Sequence, residues 1–381
     1  MKTGVKNVGC IDMSDSKKKI DDCIASIADL DYAAMDKART YQSTLAMPPR
    51  SLGMLLDIGV QLAGITGRVK STVGEKRIIV LCADNGVVKE GVSSAPKSVT
   101  ASQAVNMTRG LTGMSCLAKH FGCTVQVVDV GIDTEYVCSS IIERKVRCGT
   151  GNIACGAAMS RHEAEQAVAV GIELADRAKA EGVSIIGVGE MGIGNTTTST
   201  AVLAALTGMA PVKITGRGGG LTDEAFAKKI KVIEKALLVN KPNALDVLDV
   251  LRGVGGLDLA AMCGVFLGAA KNRLPVVIDG YISIVAALCA YRMCSKSVSY
   301  FIASHESEEC GYMVAARELH VKPFLALNMR LGEGSGCPLA FQVVDAACTI
   351  MNSMGTFVQA SIDDSYLEEI RKNENTCNGR S

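Results

Sequence analysis

The chain reads as an α/β protein: a doubly wound, mainly parallel sheet with a smaller helical domain formed from both chain termini. Three observations predict this. Short continuous apolar runs occur at Arg77–Ala83, Val125–Val130, Val183–Val188, Leu274–Ile278, Val298–Ala303 and Phe324–Leu327. Most are separated by helical stretches such as Ala101–Arg109, His162–Ala180 and Ser283–Arg292. Strands that are apolar on both faces and alternate with helices belong to a parallel sheet covered on both sides. Finally, residues 15–68 and the segment after residue 338 have helical patterns and no convincing strand. The expected division is a helical domain from 1–75 plus 340–381 and an α/β domain from 76–339. A polar tail, Arg371–Ser381, is expected to fray.

Composition narrows the function classes. With 381 residues the chain can bury a large core, and its formal net charge is only +1. There is no basic stripe, Trp is absent and aromatics make up 4 %, so nucleic acid is not an expected partner. The 15 cysteines are odd in number and scattered through apolar runs, without a C-x-x-C pair. They read mostly as small core hydrophobes in a reducing cytoplasm. Cys116, His120 and Cys123 approach a metal spacing, but no second pair completes a site, so no metal is expected. The start, Met1-Lys2-Thr3-Gly4, leads into no apolar stretch of signal-peptide type. The longest apolar tract, Leu257–Ala270, carries Asp258 and two glycines and is too short to span a bilayer, so no membrane is expected.

The loops carry the chemistry. Ala83-Asp84-Asn85-Gly86-Val87 ends the first strand, and Gly91–Lys97 follows as a loop suited to covering a pocket. After the third strand, Gly187-Val188-Gly189-Glu190-Met191-Gly192-Ile193-Gly194-Asn195-Thr196 opens a helix predicted from Ser199 to Leu206. Free N–H groups at a helix start favour phosphate, and glycines permit close approach; an ordinary capped βα loop is the alternative. A second glycine loop, Thr215–Thr222, precedes a helix whose stripe is Phe226, Ile230, Ile233 and Leu237. Lys228, Lys229 and Lys235 are assigned to the rest of its surface, with Lys229 a phosphate ligand only if the helix start faces the site. A third loop, Arg252–Asp258, again opens a helix.

Asp279 ends the Leu274–Ile278 strand. It either caps the helix from Ser283 or serves function by holding a ribose hydroxyl or orienting a catalytic group. His305, in Ser304-His305-Glu306-Ser307, lacks the partners of a nucleophilic triad. In Met329-Arg330-Leu331-Gly332-Glu333-Gly334-Ser335-Gly336, a lone carboxylate sits among glycines where a strand hands over to a helix near Leu339–Met351. Ligands of open α/β sheets bind at such strand ends, although a glycine turn with a solvated Glu fits the same pattern. Together the glycine loops and strand-end carboxylates point to a phosphorylated sugar and to carboxylate chemistry.

These motifs resemble the nicotinate-nucleotide–dimethylbenzimidazole phosphoribosyltransferases of cobamide lower-ligand synthesis. The similarity runs from Pro48-Pro49-Arg50-Ser51-Leu52-Gly53 to the helix after Glu333. Gly189–Thr197 and Arg330-Leu331-Gly332-Glu333-Gly334 are its most specific segments, supported by Ala83–Val87 through Val99-Thr100. The resemblance implies a Rossmann-like sheet, a small helical domain and a homodimer in the cytoplasm. It implies transfer of the 5-phosphoribosyl group of nicotinate mononucleotide to a benzimidazole-type base, with no metal or cofactor. Glu333 falls on the family's general base, and Glu190 on a second carboxylate near the nucleotide. Gly192, Gly194, Asn195 and Thr196 match the phosphoribosyl loop, which Gly332 and Asp279 adjoin, and Lys229 and Arg330 are phosphate partners by the same comparison.

Ser93 and Lys97 lie in the loop that approaches the acceptor base. Ala95 and Lys97 stand where many members carry an aromatic residue and then Gln, and Asn85 stands for a frequent His. These departures leave the choice of lower-ligand base open. They also leave open a second role, as the non-catalytic or atypical-base (phenolic) partner subunit of a heterodimeric homologue.

Overall fold

The computed structural model describes residues 13–367 and residue 370. The chain start at Met1–Gly4 and the tail Arg371–Ser381 lie outside the described residues. In chain order the helices are α1 Met13–Ser26, α2 Tyr32–Thr44, α3 Met54–Thr66, α4 Val99–Thr108, α5 Gly113–His120, α6 Arg161–Ala180, α7 Asn195–Thr207, α8 Pro211–Ile214, α9 Asp223–Asn240, α10 Val247–Val254, α11 Leu257–Lys271, α12 Tyr281–Met293, α13 Tyr312–Leu319, α14 Cys337–Ser353 and α15 Phe357–Ala360. The strands are β1 Glu75–Ala83, β2 Thr124–Gly131, β3 Ile142–Glu143, β4 Val183–Met191, β5 Val276–Ile278, β6 Phe301–Ala303, β7 His305–Ser307 and β8 Leu325–Met329.

Six strands form one parallel sheet in the order β3-β2-β1-β4-β5-β6. The order reverses between β1 and β4, so a crevice opens beyond their carboxyl ends, where ligands of such sheets bind. The strand interiors divide by the two-residue period. Ile79, Leu81 and Ala83 of β1 face one core, with Val168 of α6, Val202 of α7 and Val265 of α11. Ile78, Val80 and Cys82 face the other, with Ile58 of α3, Ala104 of α4 and Phe341 of α14. Burial on both faces is why these runs are continuously apolar rather than alternating.

Both ends of the chain are helical among the described residues. α3 packs on α2 and α14, with small clusters around Val60, Ala63 and Met351 and around Leu45, Met47 and Leu56. α1, however, lies on α6 and α11, inside the reach of the main core.

Several boundaries differ from the sequence expectation. The Val183–Val188 strand runs on to Met191, so Glu190 is a strand residue held by its neighbours rather than a loop residue. The following helix starts at Asn195, not Ser199, which puts Asn195 and Thr196 in its first turn. Half of Val298–Ala303 is a 3-10 turn, Ser295–Tyr300, and only Phe301–Ala303 pairs in the sheet. The Phe324–Leu327 run becomes β8, which pairs with β7 outside the main sheet, and its Ala326, Leu327 and Asn328 are exposed. A one-sided strand beside an open surface has the same short apolar pattern as a buried one, so the sequence does not separate them.

Candidate active site

The crevice at the strand-order reversal holds a cavity of about 260 Å³. Glu190 at the end of β4, the Gly192–Thr196 turn, Gly218, and the Arg330–Glu333 segment after β8 all line it. Val92–Ala95, before α4, lines it from the other side.

Glu333 is the centre of this arrangement. It is 6 % exposed and adopts φ +63, a left-handed conformation uncommon for a residue with a side chain. Its Oε1 accepts from Gln103 Nε2 of α4 at 3.2 Å, and Gln103 is in turn held by Asn106. Its Oε2 has no hydrogen bond of ordinary geometry. Burial raises the Glu333 pKa, opposed by the Thr112 hydroxyl, the Gln103 amide and the Met114 N–H at the start of α5. A buried carboxylate with a raised pKa, beside the cavity, is a candidate proton acceptor.

Behind Glu333 stands a second buried acid. Glu190 Oε1 accepts from the Glu333 N–H at 3.2 Å, and its Oε2 accepts from Asn195 Nδ2. Gly332 makes this contact possible, because a Cβ there would sit 2.5 Å from Glu190 Oε1. The Asn195 amide also donates to Asp258 Oδ2 at 3.2 Å. Burial, with the nearby Asp258 charge, pushes Glu190 up to about 8, and burial pushes Asp258 up to about 6. Burial disfavours the charged form of both acids, and for Glu190 the Asp258 charge across the shared Asn195 amide adds to it.

The opposite wall is basic. Lys229 of α9 is fully buried, and its Nζ donates to Thr196 Oγ1 at 3.0 Å and to the Gly216 carbonyl at 3.1 Å. Burial lowers Lys229 to about 8, opposed by Glu309. Glu309 accepts from the Gly218 N–H at 2.8 Å, and Arg330 reaches the Gly218 carbonyl at 3.4 Å while pairing with Glu308 at 3.3 Å.

Known proteins share this framework. A family model described as phosphoribosyltransferase (DBI_PRT) matches residues 27–362. A nicotinate-nucleotide–dimethylbenzimidazole phosphoribosyltransferase of Clostridium perfringens is 46 % identical over 355 residues, 93 % of this chain and 98 % of that one. One of Ruminiclostridium cellulolyticum is 48 % identical over 343 residues, 90 % of this chain and 97 % of that one. The crystal structure of CobT from Thermus thermophilus superposes with a TM-score of 0.84 at 38 % identity, covering 87 % of this chain and all of that one. The chain belongs to this phosphoribosyltransferase family.

Most of the residues singled out by the family resemblance meet at the cavity: Glu333, Glu190, Gly192, Gly194, Asn195, Thr196, Arg330, Gly332 and Ser93 line it. Three do not. Lys229 reaches it only through Thr196 and Gly216. It is not the surface lysine the helix pattern suggested. Asp279 is buried behind the wall and does not cap the helix from Ser283. Its own N–H donates to Ser283 Oγ at 3.2 Å instead, and α12 begins at Tyr281. Lys97 forms an ion pair with Asp133, with both side chains 41 % exposed, and is not on the cavity wall.

The third glycine loop also stays off the wall; it contributes through Asp258 alone. His305 is buried with Nδ1 3.0 Å from Ser304 Oγ, and Asn85 is buried with neither amide atom in a hydrogen bond of ordinary geometry. The cysteines are less uniformly internal than expected: Cys116, Cys148, Cys155 and Cys310 are exposed.

Sequence reasoning missed Gln103, Asp258 and Glu309. Asp258 had a signal, since an acid in the otherwise apolar Leu257–Ala270 run must be paired or neutral. Gln103 and Glu309 had none, because their partners lie on distant segments.

Proposed function

We propose that the protein transfers the 5-phosphoribosyl group of nicotinate mononucleotide to 5,6-dimethylbenzimidazole or a related base. The products are α-ribazole 5′-phosphate and nicotinate, for the nucleotide loop of cobalamin-type cofactors. Family membership supports this reading. The observation that carries it is the Glu333 carboxylate, buried beside the cavity that Glu190, the Gly192–Thr196 turn and Arg330 also line.

The step follows from that geometry. The azole nitrogen attacks the anomeric carbon of the donor. The bond to the pyridinium nitrogen breaks, and its electron pair returns to the nicotinate ring. The proton on the azole passes to Glu333. The leaving nitrogen departs neutral, so the chemistry asks for positioning, charge stabilisation and one proton acceptor, without a metal or cofactor. Glu190 holds the Glu333 backbone by accepting its N–H. The α7 start, with Gly192, Gly194, Asn195 and Thr196, takes the phosphoribosyl group, with Lys229 supplying charge through the Thr196 and Gly216 contacts. Arg330 and Gly332 border the same end. Ser93 and Ala95 border the acceptor, and Lys97 anchors their loop.

Three further properties belong to the same reading. α2, α3 and the helices at 340–367 form a small domain against the α/β body, supported by the separate clusters around Val60 and Leu45, while α1 packs on the body itself. The protein works as a homodimer, for which the exposed apolar residues Leu327 and Leu331, next to the Glu333 turn, offer an interface. It acts in the cytoplasm; no described helix is long and apolar enough to cross a membrane.

The test is incubation of the purified chain with nicotinate mononucleotide and a panel of benzimidazoles, purines and phenols, followed by mass spectrometry. New nucleotides with loss of nicotinate are expected. Donor binding with no product from any base would overturn the reading.

A further inference from the structure

Asp279 has the geometry of a clamp. It is 1 % exposed and follows β5. Its Oδ2 accepts from the Gly334 N–H at 2.9 Å and its Oδ1 from the Gly336 N–H at 2.6 Å. The clamp is itself anchored. The Asp279 N–H donates to Ser283 Oγ, and the Asp279 carbonyl accepts from Ser304 Oγ at 3.2 Å. His305 Nδ1 stands 3.9 Å from Oδ1 and 3.0 Å from Ser304 Oγ. Both carboxylate oxygens therefore face main-chain donors, and a proton on either would oppose an N–H.

The turn it holds needs holding. Glu333 at φ +63 is followed by Gly334 at φ +87, and a side-chain-bearing residue in this region is strained. Such a conformation persists only where the surroundings over-determine it. The Glu190 bond to the Glu333 N–H fixes one side of the turn, and Asp279 fixes the Gly334 and Gly336 N–H groups beyond. Because Asp279 does not line the cavity, its influence on substrate runs through this backbone.

We propose that Asp279 is a positioning residue for the base. It keeps the Gly334–Gly336 backbone in place, so that Glu333 stays in its left-handed turn at the cavity wall. This rests on the phosphoribosyl-transfer reading above; of the roles the sequence left open for Asp279, it takes up the orienting one, with named partners, in place of holding a ribose hydroxyl.

The experiment uses the full-length protein with Asp279→Asn. The variant keeps the volume but sets an NH₂ group against one of the two N–H donors. Two readouts are taken. The first is backbone hydrogen exchange of the 330–340 segment without substrate, expected to rise at least ~10-fold at Gly334 and Gly336 while β1 and β4 stay protected. The second is steady-state kinetics. kcat is expected to fall ~10–100-fold with the nicotinate mononucleotide KM within ~3-fold, the pattern of a displaced base.

A raised donor KM with kcat intact would make Asp279 a substrate ligand and overturn the proposal. Unchanged exchange would also overturn it, whatever the kinetics. If Asp279→Asn fails to fold, Ser304→Ala loosens the clamp from behind and must give the same two changes in smaller measure; failure to do so overturns the proposal equally. Absence of product from the wild type would remove the functional reading alone, because the exchange result does not depend on turnover.

Discussion

The two glycine-rich walls of the cavity are built in opposite ways. On one side, Glu333, Gly334, Ser335 and Gly336 are all buried, and their turn hangs on two buried carboxylates, Glu190 and Asp279. On the other, Arg217, Gly219 and Gly220 are exposed, and the Thr215–Thr222 loop is tied at Gly216 and Gly218 by Lys229, Glu309 and Arg330. The difference follows the work proposed for each. A proton acceptor loses efficiency with displacement, so its backbone is over-determined. A phosphate clamp must admit and release a charged ligand, so its loop is tied to the body at Thr215, Gly216 and Gly218 and exposed beyond them at Gly219 and Gly220.

The strongest way to break this comparison is at Glu333. Glu333→Gln keeps the shape of the turn and removes the proton acceptor. Turnover should fall ~10²–10⁴-fold while the donor KM stays within about 3-fold. In the wild type, kcat should be lost as pH falls, because the base works ionised. Burial raises its pKa, so the acid limb should lie above the ordinary glutamate range. Near wild-type turnover in the variant would remove Glu333 from the mechanism.

The opposite wall should show the opposite kinetic pattern. Lys229→Met removes a buried charge-assisted donor, worth ~1.5–3 kcal/mol, so the donor KM should rise ~10–100-fold with a smaller change in kcat. The pH dependence has a definite sign. Lys229 contributes while protonated, and burial lowers it to about 8, so donor KM should climb as pH rises through that value. Glu309 opposes the lowering. Glu309→Gln should therefore start the climb at lower pH and raise donor KM ~3–10-fold at pH 8, on the scale of one nearby opposite charge. A KM profile unmoved by Glu309→Gln would mean that Glu309 serves the loop alone.

The two walls were not equally legible. The Glu333 turn was visible because glycines flanking a lone acid after an apolar run mark a strand end where the backbone is cleared for a ligand. The buried carboxylates that hold it were less so. Glu190 and Asp279 could be found as strand-end acids, but their bonds run to a segment far along the chain. Lys229 could have been placed correctly from periodicity. It lies three residues after Phe226 and four before Ile233, on the apolar stripe itself. An amine at that position is buried or the stripe is broken. The strand order, and with it the meeting of β1 and β4 loops, is a matter of tertiary pairing that local pattern does not carry.

The acceptor loop, where the resemblance sets Ala95 and Lys97 apart from many members, should change the choice of base and leave the donor alone. Ala95 lines the cavity and Lys97 does not. Lys97 is paired with Asp133 at the surface, and exposed pairs contribute ~0–1 kcal/mol. Lys97→Gln should leave the donor KM unchanged and alter the ranking of competing bases less than about 3-fold, by loosening the loop rather than by touching a base. Ala95→Tyr restores bulk where the present residue leaves space. One lost methylene-scale contact relaxes selection by ~1–3 kcal/mol, so the tyrosine should narrow the accepted bases, and competition among substituted benzimidazoles should move by ~10-fold or more. The pair of variants separates the two departures. A large shift from Lys97→Gln with none from Ala95→Tyr would mean that the lysine leaves Asp133 when a base is bound and contacts the base directly.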